Sequence, residues 1–216
     1  MTGPRAEMIA WPEDLEGRYA VVDQAVQVLH GGGLVVYPTD TVYGLGADPA
    51  FPDSIRRIFA VKGRPDEKAI IWLVDTIQGA RAACLVDERA ERLAEVFWPG
   101  ALTLVLPRHN PPANALQTLG VRVPAHPAAL AILRAMDGPI ATTSANRSGE
   151  PSARVARESL ETIGTDVDLI IDAGPVPGGT ESSVLDLSVT PPRLLRAGAI
   201  EAPAIEAALG QIIEQG

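Results

Sequence analysis

Short apolar runs alternate with amphipathic stripes along most of this chain, and that alternation restricts it to a layered α/β fold. Leu34 to Tyr37, Ala69 to Val74, Leu102 to Leu106, Gly120 to Val123 and Pro139 to Thr142 each read as a short buried strand. Further strands are expected at 168–172 and 183–187. Helical patterns separate them. One covers 18–30, with Tyr19, Val22, Val26 and Leu29 on a stripe, and ends at Gly31-Gly32-Gly33. Others run from Pro52 to near Gly63, over about 76–97 with Asp87 as an N-cap, from Pro127 to Met136, over 154–163 and over 201–214. Several strand links are hairpin-length or irregular, so the sheet should be twisted and mainly mixed, with helices flanking it. The expected division is an N-terminal extension over 1–17, a single α/β domain over 18–200 and a C-terminal helix over 201–216.

The 216 residues suffice for a core without covalent staples. Aromatics make up only 4%, so that core must be built mainly from Ala, Val, Leu and Ile. Cys84 is the single cysteine, which excludes an intramolecular disulfide and a thiolate-rich zinc site. The first residues are acidic and broken by prolines, unlike a secretory signal. Apolar runs such as Ala69 to Val74 fall far short of a membrane span, so a soluble, cytoplasmic protein is expected. The net charge of -9 opposes a broad nucleic-acid surface. Cations gathered inside an acidic body suit a small-anion site instead.

Two polar stretches carry the chemistry. The first, Tyr37-Pro-Thr-Asp-Thr-Val-Tyr-Gly-Leu-Gly46, follows a buried strand, where open α/β sheets bind ligands. Thr39 and Thr41 offer hydroxyls, and Gly44 and Gly46 would let backbone N–H groups approach a ligand. An ordinary turn would use the same residue types, and neither a Walker A loop nor GxGxxG is present. Lys62-Gly-Arg-Pro65 follows, with Lys68 close by; helix-end cations explain one of these, anion binding all three. The second stretch, Thr142-Thr-Ser-Ala-Asn-Arg-Ser-Gly-Glu-Pro-Ser152, also leaves a strand directly. Ser144 lacks a nucleophile elbow, and His30, His109 and His126 have no metal-ligand spacing, so each histidine reads as structural. Arg122 sits among apolar neighbours in a strand and therefore needs an anionic partner, from the protein or from a ligand.

In order, YPTDTVYGLG, KGRP, FWPGALTLVL, GVRVPAHP, TTSANRSG, ESSVLDL and RAGAI resemble the L-threonylcarbamoyladenylate synthases of the YrdC family. The likeness spans roughly residues 18–200. It implies a mixed α/β sheet with a large positive cavity. It also implies the conversion of L-threonine, bicarbonate and ATP, with Mg²⁺, into threonylcarbamoyl-AMP and pyrophosphate. The product would pass to a threonylcarbamoyl transferase complex that makes N6-threonylcarbamoyladenosine in tRNAs reading codons that start with A. The same likeness makes Lys62, Arg64, Ser144 and Asn146 the catalytic signature. It assigns Thr41, Arg122, Thr142 and Ser182 to threonine, and Arg64, Lys68, Thr118, Ser144, Ser152 and Arg196 to ATP. No protein metal ligands are implied, the Mg²⁺ being held mainly by the ATP phosphates. The resemblance further implies a short form without the extra C-terminal domain of longer relatives. Two other readings use the same residues. One is a non-catalytic RNA-binding module, which the charge opposes. The other is the related domain of hydrogenase-maturation carbamoyltransferases, which carry zinc-finger cysteines that have no counterpart here.

Overall fold

Helix α1 (Leu15–His30) begins where the Asp14 carboxylate accepts a hydrogen bond from the Gly17 N–H, and it ends against Gly31. Capping one orphan N–H in this way stabilises a helix start by about 1 kcal/mol. Similar local chemistry delimits α2 (Pro52–Lys62), with proline in its first turn, and α4 (Glu88–Phe97), where Asp87 accepts from the N–H groups of Arg89 and Ala90. The computed structural model describes residues 6–63, 70–111 and 115–216. Its other helices are α3 (Ile77–Ala83), α5 (Pro127–Met136), α6 (Ala156–Ile163) and α7 (Ala202–Leu209). The strands are β1 (Glu7–Ala10), β2 (Val35–Tyr37), β3 (Gly44–Ala47), β4 (Ile71–Leu73), β5 (Leu102–Pro107) and β6 (Thr118–Arg122). They continue with β7 (Ile140–Ser144), β8 (Leu169–Asp172), β9 (Ser183–Asp186), β10 (Arg193–Arg196) and β11 (Glu214–Gln215). Among the described residues no helix is long and apolar enough to cross a membrane.

All eleven strands join one open sheet in the order β1-β8-β2-β3-β7-β4-β6-β5-β9-β10-β11. Pairing is parallel at β1/β8, β8/β2, β4/β6, β5/β9 and β10/β11 and antiparallel elsewhere, so the fold is a mixed α/β sheet flanked by helices. Side chains alternate across the sheet, and the register sorts them onto two faces. On one face Val36, Leu45 and Ile170 pack under α2 and α6, with Ile58, Val61 and Ile163. That face continues through Val121, Leu104, Leu185 and Leu194 to Leu93, Ile205 and Leu209 on α4 and α7. On the other face, Val35, Leu169 and Ile171 are covered by α1 and α5 through Val22, Leu29, Ile132 and Leu133. The two helices cover the β8/β2 end and the cluster beneath them reaches Ile140 of β7 and Leu73 of β4, beyond which the same face turns polar.

The sequence reading differs from the fold in five places, one of them β10, where it expected no strand. Residues 7–10, assigned to an extension, form β1 and pair with β8 at the sheet edge. The expected helix over 76–97 is two helices, because Cys84 leaves α3 to bridge Arg108 and Asp87 restarts α4. The expected helix over 201–214 stops at Leu209, and Glu214–Gln215 pairs with β10 instead. The expected ligand loop from Pro38 to Gly46 ends early, because Gly44 to Ala47 is β3, bonded to β2 on one side and β7 on the other. Glycine-rich runs have poor strand propensity. Here close packing demands one of the glycines: a Cβ on Gly46 would lie 2.6 Å from the Tyr37 ring and 2.7 Å from Ile140.

Candidate functional site

Past α1 and α5, cross-strand neighbours form one continuous row. Leu73 pairs with Arg122; the β5/β6 register sets Thr103 opposite Arg122; Thr103 pairs with Val184, and Val184 with Arg196. Two arginines thus stand three strands apart on one face, roughly 14 Å at ~4.8 Å per strand. Above this row and beside Thr142 opens a cavity of about 410 Å³, within the range that holds small ligands. The loop from Pro38 to Val42, the end of α2, the segment after β7 and the residues before β9 wall it in. The two polar stretches therefore do share one cavity.

Lys62 is the side chain that joins them. The last residue of α2, it is only 3% exposed, and Gly63 in the left-handed conformation turns the chain away behind it. Its ammonium donates to the Ser144 carbonyl at 2.8 Å, the Ser144 hydroxyl at 3.3 Å and Asn146 Oδ1 at 2.7 Å. Asn146 Nδ2 in turn donates to the Glu150 carbonyl, and the Ser148 N–H donates to the Lys62 carbonyl at 2.9 Å. Asn146 thus orients Lys62. Lys62 thereby ties the end of α2 to the end of β7 and to the loop that follows it.

Arg122 anchors the opposite wall. It pairs with Asp40 and donates from Nη1 to Thr41 Oγ1 at 3.0 Å, while its Nε has no partner among the described residues. The Asp40 carboxylate also accepts from the Ala125 N–H at 2.9 Å. Burial pushes the guanidinium pKa down and Asp40 pushes it back up, with a net lowering. Thr39 ties the loop together, accepting from the N–H groups of Thr41 and Val42 and donating to the Val42 carbonyl at 2.6 Å. Thr142 donates to the Leu45 carbonyl at 3.1 Å, so the Tyr37 hydroxyl, 2.6 Å away, donates to Thr142.

The third wall carries Glu181, Ser182 and Arg196. Arg196 donates to the Ser182 carbonyl at 2.9 Å and its hydroxyl at 3.1 Å, and it pairs with Glu181. Ser182 also shares a 2.8 Å bond with the buried Thr103. Ser152 donates to Glu181 at 2.6 Å. Burial raises the Glu181 pKa, but the Ser152 bond, Arg196, the Ser144 hydroxyl and Lys62 outweigh it and leave the carboxyl below its usual range. Among the described lining residues the charge is mixed, Lys62, Arg122 and Arg196 facing Glu150 and Glu181.

Of the residues expected in the site, Thr41, Lys62, Arg122, Thr142, Ser144, Asn146, Ser182 and Arg196 all line the cavity, and Ser152 reaches it through Glu181. Thr118 does not line it. It opens β6, four residues before Arg122, and pairs with Pro107. Arg64 and Lys68 lie outside the described residues. His126 accepts from the Ala128 N–H as the cap of α5, and His109 bonds the Arg81 carbonyl, so both are structural. Sequence reasoning missed Asp40, Glu181, Tyr37 and Thr103. Buried Arg122 signalled that an anion was needed, but not which one; the other three became visible only through strand register.

Comparison with known proteins agrees with the fold. The family model Sua5_yciO_yrdC, described as "Telomere recombination", matches residues 27–198. Threonylcarbamoyl-AMP synthase of Pyrococcus abyssi is 42% identical over 193 residues, which is 87% of this chain and 57% of that protein. A putative threonylcarbamoyl-AMP synthase of Mycobacterium leprae is 37% identical over 92% of both chains. The crystal structure of P. abyssi Sua5 complexed with L-threonine superposes with a TM-score of 0.91 at 38% identity, covering 98% of this chain and 63% of that one. The chain thus spans less than two thirds of the Pyrococcus protein's length. With the family model covering most of its residues and the sheet reproduced, this chain belongs to the Sua5/YciO/YrdC family.

Proposed function

We propose that this protein is an L-threonylcarbamoyladenylate synthase, making threonylcarbamoyl-AMP and pyrophosphate from L-threonine, bicarbonate and MgATP. The observation that carries the reading is the shared cavity, in which buried Lys62 stands between the β7 loop and a wall built around Arg122. The threonine complex of the Pyrococcus relative supports an amino-acid side to that cavity.

In this reading threonine binds beside Thr41, Arg122, Thr142 and Ser182. The Arg122 guanidinium, which lines the cavity, offers its carboxylate a charge-assisted donor. The nucleotide lies along Ser144, Ser152 and Arg196, joined by Arg64 and Lys68, with Mg²⁺ arriving on the phosphates as part of the substrate. The threonine nitrogen adds to bicarbonate with loss of water, giving a carbamate. A carbamate oxygen then bonds to the α-phosphorus as the bond to pyrophosphate breaks. No side chain forms a covalent intermediate, so the protein's task is to position two anions and offset charge on the transferring phosphoryl group. Lys62, fixed by Asn146 and the Ser144 carbonyl, is the cation best placed between the two sides. The product passes to a transferase complex that modifies tRNA in the cytoplasm.

The test is release of pyrophosphate by the purified chain with Mg²⁺, ATP, threonine and bicarbonate. Release should require all four, and Lys62→Ala or Arg64→Ala should abolish it with the circular-dichroism spectrum retained. Release independent of threonine, or wild-type rates in either variant, would refute the assignment.

A further inference from the structure

Glu181 is a carboxylate held where an anionic ligand is expected. One oxygen accepts from Ser152 at 2.6 Å and the other pairs with Arg196. The Ser144 hydroxyl and the Lys62 ammonium lie close enough to favour its ionised form. These four groups, two bonded to Glu181 and two beside it, come from the end of α2, the end of β7, the segment after β7 and the end of β10. Ser144, Ser152 and Arg196 are also the nucleotide side of the site as proposed above.

We propose that Glu181 is an internal stand-in for a ligand polyphosphate: it gathers the anion donors while the cavity is empty and must yield them when the nucleotide enters. The inference rests on the reading of those donors as the phosphate side. The local construction suits such an exchange. The Glu181 carbonyl accepts from the Ala199 N–H at 2.9 Å, and Gly198 packs so close that a Cβ there would fall 2.4 Å from the same carbonyl. The backbone is therefore clamped, and only the side chain is free to swing. Arg196 keeps two bonds to Ser182 when its Glu181 contact breaks, so it stays aimed at the cavity.

A carboxylate and a phosphate cannot share these donors without strong like-charge repulsion, which at a few ångströms costs several kcal/mol. A multidentate polyphosphate can replace all of Glu181's contacts at once. A single phosphate group does not span all of them, so the stand-in also discriminates by ligand length.

The test uses the full chain and inorganic tripolyphosphate, measured by isothermal titration for the wild type, Glu181→Gln and Glu181→Ala. Both variants should bind tripolyphosphate on the order of tenfold more tightly than the wild type, since a competing negative charge has gone. A merely structural role for Glu181 would weaken binding, so equal or weaker affinity in both variants overturns the proposal. Pyrophosphate release is assayed alongside. Tighter tripolyphosphate binding without threonine-dependent release would leave the stand-in intact and refute the synthase reading alone.

Discussion

Replacing Asp40 isolates the energetic centre of the cavity wall built around Arg122. Arg122 is 4% exposed and Asp40 13%, so both charges lie in a region where water screens them little. In Asp40→Ala the guanidinium keeps its Nη1 bond to Thr41, while Nη2 joins the already unpartnered Nε. The Ala125 N–H loses its acceptor as well. Removing one partner of a buried pair costs about 3–5 kcal/mol, because the remaining charge cannot be rehydrated. At roughly 2–4 °C per kcal/mol for a chain of this size, the melting temperature should fall by about 10 °C. Asp40→Asn keeps an acceptor for both donors and should cost only about half as much. Asp40→Ala combined with Arg122→Met removes the stranded charge and should recover stability over the single variant. Urea unfolding with a constant m-value is the measurement. A loss under about 1 kcal/mol in Asp40→Ala, or strictly additive losses in the double variant, would refute the picture of a buried, mutually dependent pair.

Two further outcomes follow from local geometry. Gly46→Ala forces a methyl against the buried Tyr37 ring and Ile140. It should destabilise the chain by about 1–3 kcal/mol, and an unchanged melting temperature would show that β3 does not pack as described. Asp87→Ala removes the α4 cap and should cost about 1 kcal/mol at neutral pH. Burial alone would raise the Asp87 pKa, but the Ala90 N–H and Arg89 lower it overall. Its contribution is therefore full above the ordinary carboxylate range and lost as pH falls through the lowered value. The gap between wild type and variant, followed by thermal melts, should close at strongly acidic pH; a gap that persists there counts against the charged cap.

How much was legible depended on how local the determining physics was. Pro127, Asp87 and Gly63 mark helix ends because caps and first-turn prolines act within a few residues, and those ends fall where the sequence places them. The cavity walls were legible in part for the same reason, hydroxyl-rich loops leaving buried strands. β3 was illegible, since the constraint on Gly46 is the ring of Tyr37 on a neighbouring strand.

By itself, then, the sequence determined the layered α/β class, several of the helix ends and the chemical character of two anion-seeking stretches, all of which depend on periodicity and residue type. Tertiary structure alone decided that Lys62 answers to Asn146 and that Arg122 answers to Asp40. It also decided that Glu181 stands among the residues assigned to phosphate. Those pairs are 84, 82 and 29 residues apart in the chain, counting Glu181 from Ser152. Nothing at short range encodes such partners: they are selected when the register of a mixed sheet brings distant strand ends to one face.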